Sequence, residues 1–536
     1  MGAVFLLGQL FLFPTPPATP PLEQVPPASK SPQAPDTKAE TPKPPAAVPP
    51  MVPAAPRQRP AQRLAVVETP LYRAVISSEG GKIQELVLKY RGDKPLVMVG
   101  DLGPKGLLVG RPGAPAEPVP MTLSAETVKV TSDQPKQELV LSGEVDGVRI
   151  RQTLVFHADT YMIDARLRAE NATAAPQAIT MSLPWETRQV WHEAKERFLG
   201  QYPTEIAWLT GGYVARAQDL CAVDAVSVDG QWISAGSIAY IAALIPRTPG
   251  FKLVARAEDK KVCETPRKEP AGRATIAVEA TPTIPPGQAW EGEVTVYTGP
   301  KEYDRLKAAG LEGSIDFGGF PVPRAWGGLP MEWLGVPILL VMNWLYGYVH
   351  NYGVAIILLT VVSKALFYPL TVKSMRSMKA MQSLQPQINT LRSKYKSDPQ
   401  RLQRETLELY RQHKVNPVGG CLPMLAQIPI FYALYIALTV SVELQNASFL
   451  CFGRMFGVDL WICDLAAQDP TYILPLLMGV TMFIQQKMTP IAGDPRQAKL
   501  MLMMPVVFTF MFLNLASGLV LYWTVSNILQ IAQQYY

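Results

Sequence analysis

The chain is 536 residues long, too long for one ordinary domain, and its 50 basic and 44 acidic residues leave a formal charge of +6. So mild an excess gives no reason to expect DNA as a partner. Four dispersed histidines (His157, His192, His350, His413) argue against a metal site, and nothing calls for a cofactor. Five cysteines (Cys221, Cys263, Cys421, Cys451, Cys463) show no CxxC and no zinc-like spacing. Cys451 and Cys463 share one short loop, and Cys221 and Cys263 share one soluble region. Disulfides are open to them wherever those regions face an oxidising compartment, with Cys421 left over.

Residues 3–13 (AVFLLGQLFLF) form an apolar stub of eleven residues, short for a membrane span. Two readings stand: a signal-like segment, or a truncated first transmembrane helix, which the length rule favours. Pro14 to Pro60 then holds 17 prolines in 47 residues. That composition cannot bury a core and reads as an extended tether over 14–61.

From residue 62 to about 300 the pattern changes to short alternating runs separated by turn signals. Tyr72–Ser77, the Gly80-Gly81 pair and Lys82–Tyr90 read as a hairpin. Val145-Asp146-Gly147-Val148 and Val228-Asp229-Gly230-Gln231 mark further tight turns beside segments such as Val148–Phe156 and Tyr161–Ala169. The expected fold class is therefore α+β: an antiparallel β-sandwich with C-terminal helices over 62–330, followed by a helical membrane core over 331–536. Residues 299–319 read as a helical coda.

The membrane half opens with Pro337–Tyr352, whose Trp344, Tyr346, Tyr348, His350 and Tyr352 suit an interfacial helix. The alternative is the start of a longer span broken at Gly353. Five spans are expected, at 353–372, 418–442, 471–488, 500–515 and 519–536. Between the first two, residues 373–416 carry ten basic residues against Asp398, Glu405 and Glu408. The loop at 443–470 has Arg454 against Glu443, Asp459, Asp464 and Asp469, whereas 489–499 carries Arg496 and Lys499. The positive-inside rule places 373–416 and 489–499 in the cytoplasm and the β-domain outside. Met375, Met378, Met381, Leu384, Ile388, Leu391 and Tyr395 recur at helical spacing. Asp398-Pro399 is an N-cap and N1 pair for a second helix, Gln400–His413, so the loop reads as a helical hairpin. Its basic surface is either a solvated face or a dock for acidic lipid, ribosomal RNA or nascent chain.

Lys364 lies inside the apolar run Gly353–Leu370 with no acidic residue between Glu332 and Asp398. A lysine near mid-membrane costs roughly 2.5–3.5 kcal/mol and normally faces a bundle interior or a wet cavity. Two readings compete, a functional polar cavity and plain snorkelling to the headgroups.

At this point several stretches taken in order resemble the YidC family of membrane protein insertases. They are Phe367-Tyr368-Pro369-Leu370-Thr371, Val415-Asn416-Pro417-Val418-Gly419-Gly420-Cys421-Leu422-Pro423 and Gln427-Ile428-Pro429-Ile430-Phe431. Asp469-Pro470-Thr471-Tyr472-Ile473-Leu474-Pro475, Ser517-Gly518-Leu519-Val520-Leu521-Tyr522-Trp523 and Gly299-Pro300-Lys301-Glu302-Tyr303 complete the set. The resemblance covers essentially 62–536. It implies a bacterial inner-membrane, multi-pass insertase and chaperone with a mutarotase-like periplasmic sandwich. It further implies a hydrophilic groove, open to cytoplasm and lipid, that carries one positive residue. Lys364 stands where the family commonly has arginine, and lysine lacks the forked guanidinium that holds a carboxylate with two bonds.

The polarity of that groove would come from Thr360, Ser363, Gln427, Thr524, Ser526 and Asn527. Thr360 and Lys364, spaced i, i+4, share a helix face. The hydroxyls have a competing use in bonding their own helix carbonyls. Met501, Met503, Met504, Phe508, Phe510 and Met511 form a soft surface, read either as a slide for substrate helices (Met501, Met504, Phe508, Met511) or as packing and lipid contact. The partners implied are nascent membrane proteins, the ribosome, the Sec translocon and anionic lipids, with the monomer as working unit. No enzymatic activity is expected, since no cluster of histidines and carboxylates is visible in the sandwich. The rival function is an anion-conducting transporter or channel with a central cationic site.

Overall fold

Alternation in sequence becomes two-faced strands. Val148–His157 (VRIRQTLVFH) buries Val148, Ile150, Gln152 and Leu154 and turns Arg149 and Arg151 to solvent, as the two-residue period of a strand requires. The structure, a computed structural model, describes residues 61–89, 96–99, 102–190, 204–217, 225–259, 271–316, 319–320, 329–330, 332–396, 398–413, 415, 428, 431–438, 442–455, 458–488 and 495–535. The N-terminal stub, the Pro-rich tether, Cys221, Cys263, Cys421 and Gln427 lie outside the described residues.

Strands between Leu64 and Pro300 form three main sheets of five, nine and six strands. The pairings are antiparallel except one, where Val66–Glu68 runs parallel to Thr127–Lys129. In the nine-stranded sheet Val148–His157 lies between Lys136–Val145 and Met162–Asn171. The turn at 145–148 is as tight as its sequence implies: Asp146 and Gly147 both adopt positive φ, 51° and 79°, the geometry that favours Asx-Gly in two-residue hairpins. The similar Val228–Gln231 turn does something else. Ala225–Val228 belongs to the six-stranded sheet and Trp232–Ser237 to the nine-stranded one, so the chain changes sheets there. Gly230 permits the crossing, because a Cβ would strike the Leu209 carbonyl oxygen and the Leu253 side chain. Leu139, Leu141, Ile150, Phe156, Ile163, Leu167, Ile276 and Val278 lie at the centre of this core. Each contributes about 1.5–3 kcal/mol by leaving water.

The coda is helix α1 (Tyr303–Ala309), ended by Gly310 in the left-handed conformation, and a 3-10 turn at Glu312–Ser314. Two buried charges and one partly buried charge fasten it to the large sheet. Arg216 reaches Glu205 at 2.8 Å and the carbonyls of Gly313 and Ile315 at 2.7 and 3.2 Å. Lys301, almost wholly buried, meets Glu205 at 3.5 Å and the Ser314 carbonyl at 3.2 Å.

Helix α2 (Glu332–Val349) exposes Trp333, Trp344 and Tyr348. The break after it falls at His350, which has positive φ, and Asn351 caps the next helix by accepting from the Val354 amide. Gly353 is not the break; it makes room for the Phe449 ring where a Cβ would sit. Helix α3 then runs from Tyr352 to Ser383 without interruption. It runs through Pro369 and overruns the expected span end at 372, because Lys373, Arg376 and Lys379 are good helix formers and the next proline is Pro386. The amphipathic segment expected as one cytoplasmic helix is therefore divided between the end of α3 and α4 (Gln385–Lys394). Helix α5 (Pro399–Gln412) follows with Asp398 as its N-cap, accepting from the Arg401 amide, and packs against α4.

Residues 431–438 form α6, and α7 (Ile473–Met488), α8 (Pro495–Phe512) and α9 (Ser517–Tyr535) complete the helical part. Among the described residues, α3 is the one helix both long and apolar enough to cross a bilayer. The apolar stretches of α7 and α8 are shorter. A hairpin of Leu450–Met455 and Val458–Ile462 is closed by a Cys451–Cys463 disulfide. The strand-rich part meets the helical part where the Tyr240 hydroxyl donates to Gln445 Oε1 at 3.3 Å.

Candidate functional site

Helix α3 has its polarity reversed relative to a helix of a soluble protein. Leu358, Val361, Val362, Leu366 and Tyr368 face outward, with Leu366 71 % exposed, while Thr360, Thr371 and Ser374 are buried. Lys364 lies on the inward row, twelve residues and about 18 Å along the helix from Tyr352. Apolar side chains are exposed on α7 and α8 as well (Leu476, Leu477, Val480, Val506, Val507 and Phe510), although the residues buried there, such as Leu474, Met478 and Phe512, are mainly apolar too. Apolar surface on this scale marks a membrane or protein contact.

Lys364 is half-buried, and its ammonium donates to the Gln530 amide oxygen on α9 at 3.1 Å. Among the described residues no carboxylate comes within ion-pair distance of it. The structure therefore points the lysine across the seam between α3 and α9, not outward along the exposed aliphatic side. The neighbouring hydroxyls take the competing use. Thr360 donates to its own Ile356 carbonyl and Thr524 to Val520, each at 2.7 Å. Both helices thereby satisfy these buried hydroxyls internally.

Asn527 is buried and donates to Thr481 on α7 at 3.4 Å, so α9 is tied to α3 on one side and α7 on the other. Ser526 is buried and Ser363 half-buried. Gln427 lies outside the described residues. Of the slide residues, Met504 and Met511 are exposed, whereas Phe508 turns inward against Trp523 and Phe512. The side chain of Met501 is outside the described set.

Gln530 is the residue that sequence reasoning missed. The signal was available: Asn527, Gln530 and Gln534 recur at three and four residues along one stripe of a helix, from which Gln530 reaches Lys364 of α3 and Asn527 reaches Thr481 of α7.

Other motif residues turn out to set geometry. Asp469 is buried and accepts from the Thr471 amide and hydroxyl and from the Leu474 amide, fixing the start of α7. Ser517 holds the start of α9 through its hydroxyl and amide, both donating to the Ala467 carbonyl.

In the strand-rich domain the fold assembles a histidine–carboxylate pair that spacing alone did not reveal. His157 Nε2 and Asp164 Oδ2 lie 2.8 Å apart on adjacent strands, Thr295 donates to Asp164 Oδ1 at 2.7 Å, and Arg247 donates to Thr295 at 3.0 Å. Burial alone would raise the Asp164 carboxyl. The hydrogen bonds from Thr295 and His157 outweigh it and hold the group below the usual carboxylate range. Each Asp164 oxygen thus accepts a hydrogen bond, and the lowered pKa makes the carboxylate a weak base held in place by its partners. A cleft of about 620 Å³ lined by Gln231, Trp232, Arg247 and Phe251 opens on the same domain and shares Arg247 with this network. Among the described residues no group of histidine, cysteine and carboxylate ligands could hold a metal.

Comparison with known proteins supplies the family. Residues 64–331 match the family model described as YidC periplasmic domain, and residues 344–536 match the one described as 60Kd inner membrane protein. The membrane protein insertase YidC of Syntrophus aciditrophicus is 39 % identical over 568 residues, covering 100 % of this chain and 97 % of its own. That of Geobacter metallireducens is 38 % identical, with 100 % and 96 % covered. A crystal structure described as an active YidC insertase with its first transmembrane domain resolved is 18 % identical, covers 89 % of this chain and 95 % of its own, and gives a TM-score of 0.36. The chain belongs to the YidC family of membrane protein insertases, inner-membrane proteins with a periplasmic domain whose work is insertion and not enzymatic chemistry.

Proposed function

We propose that this chain moves hydrophobic segments of nascent membrane proteins from the cytoplasm into the inner membrane along the seam between α3 and α9. The observation that carries the reading is the inverted polarity of α3: aliphatic side chains outward, and inward a row holding one ammonium whose described partner is a neutral amide. A short acidic or polar flank of the substrate enters the seam, where Lys364, Ser363, Ser526 and Asn527 replace part of its lost hydration. Gln427, on the expected second span, is assigned the same role. The apolar segment slides into lipid past Met504 and Met511, and the flank is released outward.

The division at 330/331, the five-span topology, the mutarotase-like character of the sandwich and the chaperone role belong to this reading. So do contacts of the α4–α5 hairpin with ribosome and anionic lipid, cooperation with the Sec translocon, and action as a monomer. The basic residues of the hairpin, Arg392, Lys394, Arg401, Arg404 and Arg411 among them, favour an anionic surface.

The test is a charge series at one position, with a photocrosslinker placed there in parallel. Lys364→Arg retains insertion, whereas Lys364→Glu impairs substrates with acidic flanks most. Crosslinks from position 364 to a stalled nascent chain are expected. Equal insertion by Lys364→Ala and wild type across several substrates rejects the electrostatic role. Anion flux through purified protein in liposomes would favour the transporter reading instead.

A further inference from the structure

We infer that Lys364 and Gln530 together form a composite carboxylate clamp in which the carboxamide supplies the second donor that a lone lysine lacks. The inference rests on the proposed entry of an acidic substrate flank into the α3–α9 seam.

An ammonium only donates, so the Gln530 group 3.1 Å from it is the amide oxygen. The amide nitrogen, on the same carbon, carries two further N–H donors. The pair thus brings a point charge and a planar donor to one place from two different helices. A carboxylate has two oxygens and accepts best from two parallel donors. Arginine provides both from a single side chain; here they come from α3 and α9.

The resting contact also explains why a neutral partner is used. Gln530 holds the ammonium in the seam and gives its proton an acceptor, which an aliphatic residue there would not do. A glutamate would form an ion pair in low dielectric, and an incoming carboxylate would have to displace a like charge. An amide oxygen is a weaker acceptor than a carboxylate, so exchange runs toward substrate. Half-burial of both side chains leaves the pair reachable. Asn527, one turn earlier on α9 and tied to Thr481 of α7, fixes the helix rotation that presents Gln530.

The experiment uses the full chain in cells depleted of their own insertase. Two matched substrates differ only in an acidic or a neutral flank, and the readout is the ratio of their insertion efficiencies. Gln530→Leu is expected to lower the acidic-to-neutral ratio about tenfold, the loss of one hydrogen bond to a charged group. Gln530→Glu is expected to lower it further while sparing the neutral-flank substrate. The exchanged pair Lys364→Gln with Gln530→Lys restores the preference for acidic flanks, because it keeps both donors in the seam. That variant also answers the question if Gln530→Leu does not accumulate.

An unchanged ratio in Gln530→Leu, alongside a reduced ratio in Lys364→Ala, overturns the clamp and leaves the seam reading intact. An unchanged ratio in Lys364→Ala removes the seam reading and the clamp with it.

Discussion

Replacing Glu205 by glutamine should loosen the joint between the sandwich and its coda far more than deleting one of the two cations it serves. Glu205 pairs with both cations, with Arg216 at 2.8 Å and Lys301 at 3.5 Å, and the side-chain exposures of the three are 9 %, 17 % and 4 %. Removing its charge leaves buried Lys301 and partly buried Arg216 facing a neutral amide, with Asp316 the anion still acting on Lys301. Breaking a buried pair in this way costs about 3–5 kcal/mol. Lys301→Met removes a cation instead. The 2.8 Å Glu205–Arg216 pair survives, as do the two Arg216 bonds to Gly313 and Ile315. Replacing a buried charge by apolar bulk of similar size is often nearly neutral, so this change should cost within about 1 kcal/mol.

The assay is hydrogen exchange of the full chain in detergent, read on peptides covering α1 and the 312–314 turn. In Glu205→Gln, protection there should fall by about a hundredfold or more, the equivalent of 3 kcal/mol. In Lys301→Met it should stay within about fivefold of wild type. Equal losses in the two variants would show that geometry, not charge balance, holds the coda, and the reasoning would fail.

Three further outcomes follow from other parts of the chain. Burial lowers the affinity of Lys301 for its proton, so its folded-state pKa lies below the 10.5 of the unfolded chain. Its contribution is greatest above that value and shrinks as pH falls. Tyr161 and Tyr240, pushed up to about 12 chiefly by burial, act oppositely, adding stability that is lost as pH rises past 10. Stability of the sandwich in wild type should therefore climb toward pH 10 and then decline. In Lys301→Met the climb should be missing, and an identical profile in urea titrations would refute the assignment. Replacing Cys451 and Cys463 by serine removes a link between residues twelve apart, worth about 3 kcal/mol to the hairpin in the chain-entropy account. Because the bond persists only on the oxidising side, finding both thiols free to alkylate in freshly lysed cells would invert the orientation deduced from loop charge. Asp469→Ala should lower thermal stability in detergent by about 1–2 kcal/mol by stripping the cap of α7, with Asp469→Asn milder; equal stability of all three proteins would contradict that role.

Local rules were legible where a side chain acts on its own neighbourhood. The Asp146-Gly147 turn, the Asp398-Pro399 start of α5 and the alternating strands each follow from a handful of adjacent residues. What sequence reading missed depends on distance. His157 and Asp164 are seven apart in sequence and become partners only because Phe156 pairs with Ile163 across two strands. The Val228–Gln231 turn looks like a hairpin but joins two sheets, a choice made by which strands the flanking residues find. Helix α3 passes its apolar limit because the lipid boundary is set by hydropathy while helix length is set by stop signals, and the two disagree by eleven residues.

At the candidate site the lysine was conspicuous because charge is costly in hydrocarbon. Its neutral partner was not, because only the helical spacing from Asn527, and nothing in composition, sets Gln530 apart from a solvated glutamine. Thr360 and Thr524 were named for their polarity, but in the structure they first satisfy their own helices.

Helix length and site polarity work on the same barrier. On the proposed reading α7, α8 and α9 span the membrane with 16, 18 and 19 residues. At 1.5 Å per residue they are about 24–29 Å long, shorter than a hydrocarbon layer of about 30 Å even before tilt. The bilayer must thin against them at a modest cost per ångström, which the protein bears permanently. A substrate flank then crosses a shorter apolar path, and part of that path is lined by Lys364, Gln530 and Asn527. Neither device has to bind tightly. A site that held the flank firmly would lower the entry barrier and raise the exit barrier equally, so one ammonium backed by an amide is better matched to passage than a fixed ion pair would be. Lengthening α7 by one apolar turn should slow acidic and neutral flanks alike, whereas Gln530→Leu should slow only the acidic one. The separation of those two effects follows only if path length and charge act independently.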